Sequence, residues 1–121
     1  MNENESKLTI FHNPRCSKSR MTLQLLQERD EDIIIIEYLN EAPDSSTLRE
    51  ILYRLNMQPR DLMRKQEPIY TELELDRPEL NEAELIEAMM DYPILIERPI
   101  VLYGDKAAIG RPPESVMDIL L

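Results

Sequence analysis

The apolar positions of the chain fall into short blocks whose spacing changes along its length. Leu8 to Phe11 is a brief run of strand formers that stops at Asn13-Pro14, a turn signal. From about Cys16 to Glu28 apolar residues recur at helical spacing, with Thr22, Leu23 and Leu26 on one side and Met21 and Leu25 beside them, which predicts an amphipathic helix. Ile33 to Ile36 follows without alternation, the pattern of a parallel strand buried on both faces. Strand, helix, strand is a βαβ unit, whose crossover is right-handed in nearly all cases.

Beyond residue 44 the period becomes helical. Thr47-x-x-Glu50 predicts a capping box ahead of Ile51, Leu52 and Leu55, Pro59 suits the first turn of a short helix through Met63, and Asn81-x-x-Glu84 caps Leu85 to Met90. Residues 44–91 therefore read as a helical insertion, ended by Pro93. Ile100 to Tyr103, Gly104-Asp105 and Ala107 to Ile109 predict a β-hairpin, and Pro112-Pro113 opens a last helix that runs to the C-terminus. No internal repeat or low-complexity stretch interrupts this order.

Composition narrows the chemistry. A chain of 121 residues makes one domain over 1–121, with residues 1–6 expected as a disordered polar tail. The one cysteine, Cys16, excludes an intramolecular disulfide, and with the one histidine, His12, it cannot close a structural zinc site. Both glycines lie near the C-terminus, so phosphate loops of the Walker or dinucleotide type are absent, and no bound cofactor or metal is expected. The net charge of −10 is concentrated in residues 66–97, with 1 basic against 10 acidic groups. Such a chain repels nucleic acid and anionic membranes. Without a long apolar run or an apolar leader it is expected in the cytoplasm, as a monomer.

Cys16 stands where a turn meets a helix, and first-turn N–H groups with the positive end of the helix dipole lower a thiol's pKa. Arg15, Lys18 and Arg20 add positive charge, Arg20 at i+4 shares the face of Cys16, and a protonated His12 strengthens the field. Cys16-Ser17-Lys18-Ser19 is C-x-x-S, so Ser19 occupies the place of a resolving cysteine and any disulfide forms with another molecule. Ser19 suits helix capping or anion binding equally. Arg64, Arg98 and Arg111 stand at element edges, and their planar forks suit a tetrahedral oxyanion if they converge on Cys16.

A strand whose loop delivers a cysteine to a helix, then a hairpin and a closing helix, predicts an α/β fold of thioredoxin or glutaredoxin type. Its mixed four-stranded sheet follows the order βαβ, helical insertion, ββα. At His12-Asn13-Pro14-Arg15-Cys16-x-x-Ser19-Arg20, Glu97-Arg98-Pro99-Ile100-Val101 and Gly110-Arg111-Pro112 the sequence resembles the glutaredoxin-coupled arsenate reductases. The resemblance implies Cys16 as nucleophile, His12 beside it helping to lower its pKa, Arg64, Arg98 and Arg111 as arsenate-binding arginines, and Pro99 as a cis-proline. Ser19 and Arg20 support the site. Glutathione is the implied co-substrate and glutaredoxin the implied partner. Ser17-Lys18 departs from the Gly-Thr of the best-known members, and the chain looks like the family's shorter branch. Two other readings keep the fold: a glutaredoxin-like thiol transferase, and an Spx-type regulator binding RNA polymerase, which His12 and Ser19 disfavour.

Overall fold

The computed structural model describes residues 8–29 and 32–120, so the tail expected over residues 1–6 lies outside the described residues. Two compact units emerge. One combines the chain up to Glu41 with the chain from Arg98, and the other is Ala42–Glu97.

In the first unit, β1 (Leu8–Phe11), β2 (Ile33–Ile36), β3 (Ile100–Tyr103) and β4 (Lys106–Ile109) form one sheet in the order β2-β1-β3-β4. β1 runs parallel to β2 and antiparallel to β3, and β3 pairs antiparallel with β4. Helix α1 (Ser17–Gln27) is the crossover between β1 and β2. Leu8 and Ile10 of β1, Val101 of β3, Leu26 of α1, and Val116 and Leu120 of a closing 3₁₀ helix (Pro113–Leu120) make one buried aliphatic cluster. Alternation along β1 and β3 decides which side chains enter it. The β3–β4 turn is two residues long, and Gly104 takes its first position at φ 62°, where glycine meets no steric cost.

The second unit is helical. Helix α2 (Ser45–Leu55) is capped by Asp44, whose side chain accepts from the Thr47 N–H at 2.8 Å. It ends in a Schellman turn with Asn56 left-handed at φ 55° and the Met57 N–H donating to the Leu52 carbonyl at 3.0 Å. Helix α3 (Pro68–Glu72) is short. Helix α4 (Glu82–Asp91) starts with a reciprocal capping box between Asn81 and Glu84, at 2.8 and 3.0 Å. It packs on α2 and on two 3₁₀ turns, Pro59–Leu62 and Pro93–Leu95. Backbone bonds from Arg64 to Leu95 at 2.6 Å and from Glu97 to Leu62 at 2.8 Å tie those turns together.

Several expectations need correction. β2 is an edge strand, and Ile35 is 45% exposed, so the isoleucine run reflects strand propensity rather than burial on both faces. The cap of α2 is Asp44, because its extended backbone puts the carboxylate within reach of the Thr47 N–H, and Thr47 sits inside the first turn. Pro93 opens a 3₁₀ turn, and the closing helix is 3₁₀ rather than α.

Candidate active site

The sheet register assembles the site. Ile36, Phe11, Ile100 and Ile109 pair across all four strands as the last rung of the ladder at one end of the sheet. Just beyond that rung come Tyr38 after β2, His12 and Asn13 after β1, Arg98 and Pro99 before β3, and Gly110 and Arg111 after β4. In α/β sheets, sites form beyond the carboxyl ends of the parallel strands, here β1 and β2.

The loop from His12 to Cys16 is held by its own polar groups. The His12 N–H donates to the Ile36 carbonyl at 2.8 Å, which extends the β1–β2 pairing by one residue. Asn13 accepts the Arg15 N–H on its side chain and the Cys16 N–H on its carbonyl, both at 3.0 Å. From α1, the Ser19 hydroxyl lies 2.7 Å from His12 Nδ1 and accepts the Asn13 N–H at 3.0 Å. Ser19 thus fastens the loop to the helix rather than capping the helix. Arg20, expected to share the face of Cys16, turns back and donates to the Pro14 carbonyl at 2.9 Å.

These bonds place Cys16 at the N-cap of α1, with extended backbone at φ −95° and ψ 123°. Its thiol is half-buried. Burial pushes the pKa up, but the N–H groups of Ser19 and Lys18 and the Arg98 guanidinium favour the thiolate and bring it below the ordinary value. The two N–H groups face the sulfur without a short hydrogen bond. His12 differs from expectation. Burial lowers its pKa, Glu37 raises it and Arg20 lowers it, and the net shift is downward, so the ring is neutral at pH 7 and supplies no positive charge to the sulfur.

Arg98 is the cation at the thiol. Burial lowers its pKa, while Cys16 and Tyr38 against the guanidinium raise it, leaving a firmly charged group. Its Nε and Nη1 are buried with no hydrogen-bond partner. A buried charged donor without an acceptor is costly, and an incoming anion would relieve that cost. The Arg98-Pro99 peptide is cis, as the resemblance implies, and the Arg111-Pro112 peptide is cis as well. Arg111 Nε donates to the Arg98 carbonyl at 2.8 Å, and the Gly110 N–H donates to the Pro99 carbonyl at 2.9 Å. At Gly110 a Cβ would lie 2.5 Å from Thr22 Oγ1 and 2.8 Å from Pro99 Cγ, so glycine permits this close approach.

Arg64 belongs to the second unit. Its guanidinium meets Glu67 at 3.4 Å and Glu97 at 3.3 Å. Sequence reasoning missed Tyr38, whose signal was its place two residues past the end of β2. Among the described residues, no group of three or more His, Cys, Asp or Glu side chains could hold a metal ion, and no helix is long and apolar enough to cross a membrane.

A four-stranded mixed sheet with one thiol at the start of its first helix, its pKa held below the ordinary value, defines a thioredoxin-like protein. The chain belongs to the ArsC family, whose family model matches residues 11–119. It is 50% identical to the uncharacterized protein YfgD of Escherichia coli K12, over 94% of this chain and 97% of that protein. It is 46% identical to an arsenate reductase of Neisseria meningitidis, over 94% of this chain and 98% of that protein. The solved arsenate reductase from Vibrio cholerae superposes with a TM-score of 0.91 at 41% identity, covering 94% of this chain and 98% of that one.

Proposed function

We propose that this chain is an arsenate reductase of the glutathione- and glutaredoxin-dependent kind. The observation that carries this reading is the Arg98 guanidinium, lying against the Cys16 sulfur with Nε and Nη1 buried and unpartnered. Nucleophile and anion acceptor stand together, as transfer to a tetrahedral oxyanion requires. The names of the relatives support arsenate as that oxyanion.

In this scheme the Cys16 thiolate attacks arsenic, an As–S bond forms, and one As–O bond breaks with its oxygen leaving as water after protonation. Glutathione sulfur then attacks the Cys16 sulfur. The As–S electron pair stays on arsenic, which leaves as arsenite, and Cys16 is left as a mixed disulfide with glutathione. A glutaredoxin thiol reduces that disulfide. The two electrons come from Cys16 and one glutathione, because Ser19 holds the place of a resolving thiol. Arg98 neutralises charge on the oxyanion, with Arg111, whose Nε donates to the Arg98 carbonyl, beside it. His12, neutral and held by Ser19, fixes the loop that carries Cys16.

Arsenite production with arsenate, glutathione and glutaredoxin tests the scheme. Cys16→Ser should lose turnover by about 10⁴-fold or more, while Arg98→Ala should mainly raise KM. Full activity in Cys16→Ser, or arsenite formed without an external thiol, would overturn it. A glutathionylated peptide turned over in preference to arsenate would make the protein a thiol transferase instead.

A further inference from the structure

We propose that the outer edge of β2 is a docking surface for an extended segment of a partner protein, flanked by basic residues, which joins the sheet as an added strand beside β2.

The backbone carries the first part of the argument. β2 is the outermost strand on its side of the sheet and pairs with β1 alone. In a parallel ladder, alternate residues of a strand turn both backbone groups toward the same neighbour. The His12 N–H donates to the Ile36 carbonyl at 2.8 Å, so Ile34 and Ile36 face β1, while Ile33 and Ile35 aim N–H and C=O away from the sheet. Among the described residues, none of those outward groups has a backbone partner. A row of open donors and acceptors is a template for another strand.

The side chains leave this edge open. Ile35 is 45% exposed, and Leu39, in the turn after the strand, is 39% exposed. Sheet edges are commonly blunted by lysine or proline within the strand, and Ile33–Ile36 has neither. β4, at the opposite edge, carries the exposed Lys106.

Charge selects the occupant. Exposed Asp32 and Glu37 bracket the strand directly, and residues 28–41 hold six acidic residues against the single basic Arg29. An antiparallel pairing of two β2 strands would set the acidic start of one against Glu37 of the other, which disfavours a second copy of this chain. Lysine or arginine at both ends of a visiting strand turns each of those repulsions into an attraction. The inference uses no group of the Cys16 site and stands apart from the arsenate reading.

The test uses the full chain and two blocked octapeptides that alternate valine and threonine, one flanked by paired lysines and the other by paired glutamates. At a concentration about ten times its Kd, the lysine peptide should slow hydrogen exchange at the Ile33 and Ile35 N–H groups about tenfold, and the glutamate peptide at that concentration should not. Ile35→Lys should weaken lysine-peptide binding by about tenfold or more while the Cys16 alkylation profile stays wild type. Asp32→Lys, at an exposed position outside the strand, should weaken the lysine peptide several-fold and favour the glutamate peptide. Equal protection by both peptides, binding that leaves Ile33 and Ile35 exchange unchanged, or no binding at all would overturn the proposal. So would concentration-dependent dimerisation in sedimentation that Ile35→Lys abolishes, which would assign the edge to a second copy.

Discussion

Among the described residues of the first unit four polar ones, His12, Asn13, Ser19 and Thr22, are buried, and all lie in the stretch that carries Cys16, whereas the caps and ion pairs of the second unit are exposed or half-buried. Charge divides the same way. The first unit has 8 basic against 11 acidic residues, and Ala42–Glu97 has 6 against 13. Burying polar groups is costly unless each is bonded, so a fold tolerates it where something is gained. Here the gain is a rigid loop presenting a thiol. The second unit holds its shape with apolar helix faces and local caps, devices that leave its surface free to carry acidity.

Substitutions that break this contrast should rank accordingly. Gly110→Ala drives a methyl group into Thr22 and the Pro99 ring, and should lower unfolding free energy by about 3 kcal/mol in urea titration. Its damage should also reach the thiol, since Pro99 adjoins Arg98. Ser19→Ala leaves the buried Asn13 N–H without its acceptor and should cost about 2 kcal/mol, with faster hydrogen exchange across residues 12–16. If exchange there stayed at the wild-type rate, the Ser19 bonds would not be what holds the loop.

A pH dependence should follow from His12. Burial lowers its pKa from 6.5 in the folded chain, so on acidification the unfolded chain binds the proton first. Stability on this account is complete above about pH 6.5 and declines below it until the folded ring protonates. His12→Gln should flatten that decline in melting curves taken between pH 7 and 5. The smallest effect belongs to the second unit. Arg49→Ala removes an exposed pair with Glu82 at 2.6 Å and should change stability by no more than about 0.5 kcal/mol, with Cys16 alkylation unaltered. A loss as large as that of Ser19→Ala would erase the distinction between the units.

What the sequence made legible follows the range of the forces involved. The position of Cys16 at a helix start, the Gly104-Asp105 hairpin and the Asn81-Glu84 box are local, and each was readable from a few adjacent residues. Ile33 to Ile36 misled because four isoleucines mark a strand but not its place in a sheet, which depends on pairing with β1 alone. The cap of α2 was misassigned because Asp44 and Thr47 are both good caps, and only backbone geometry separates them. The pairing of Arg64 with Glu67 and Glu97 and the approach of Arg98 to Cys16 needed the tertiary register. The neutrality of His12 was missed because burial outweighs the pull of Glu37.

The hydroxyl of Ser19 makes short contacts, at 2.7 Å to an imidazole nitrogen and 3.0 Å to a backbone N–H. A sulfur atom is larger and a weaker partner in both roles, so Ser19→Cys would disturb the loop before it could act as a second thiol. Conversion of this chain into a self-sufficient two-cysteine site is therefore not one substitution away. The hydrogen-bonded loop that presents the Cys16 thiol would have to be rebuilt first.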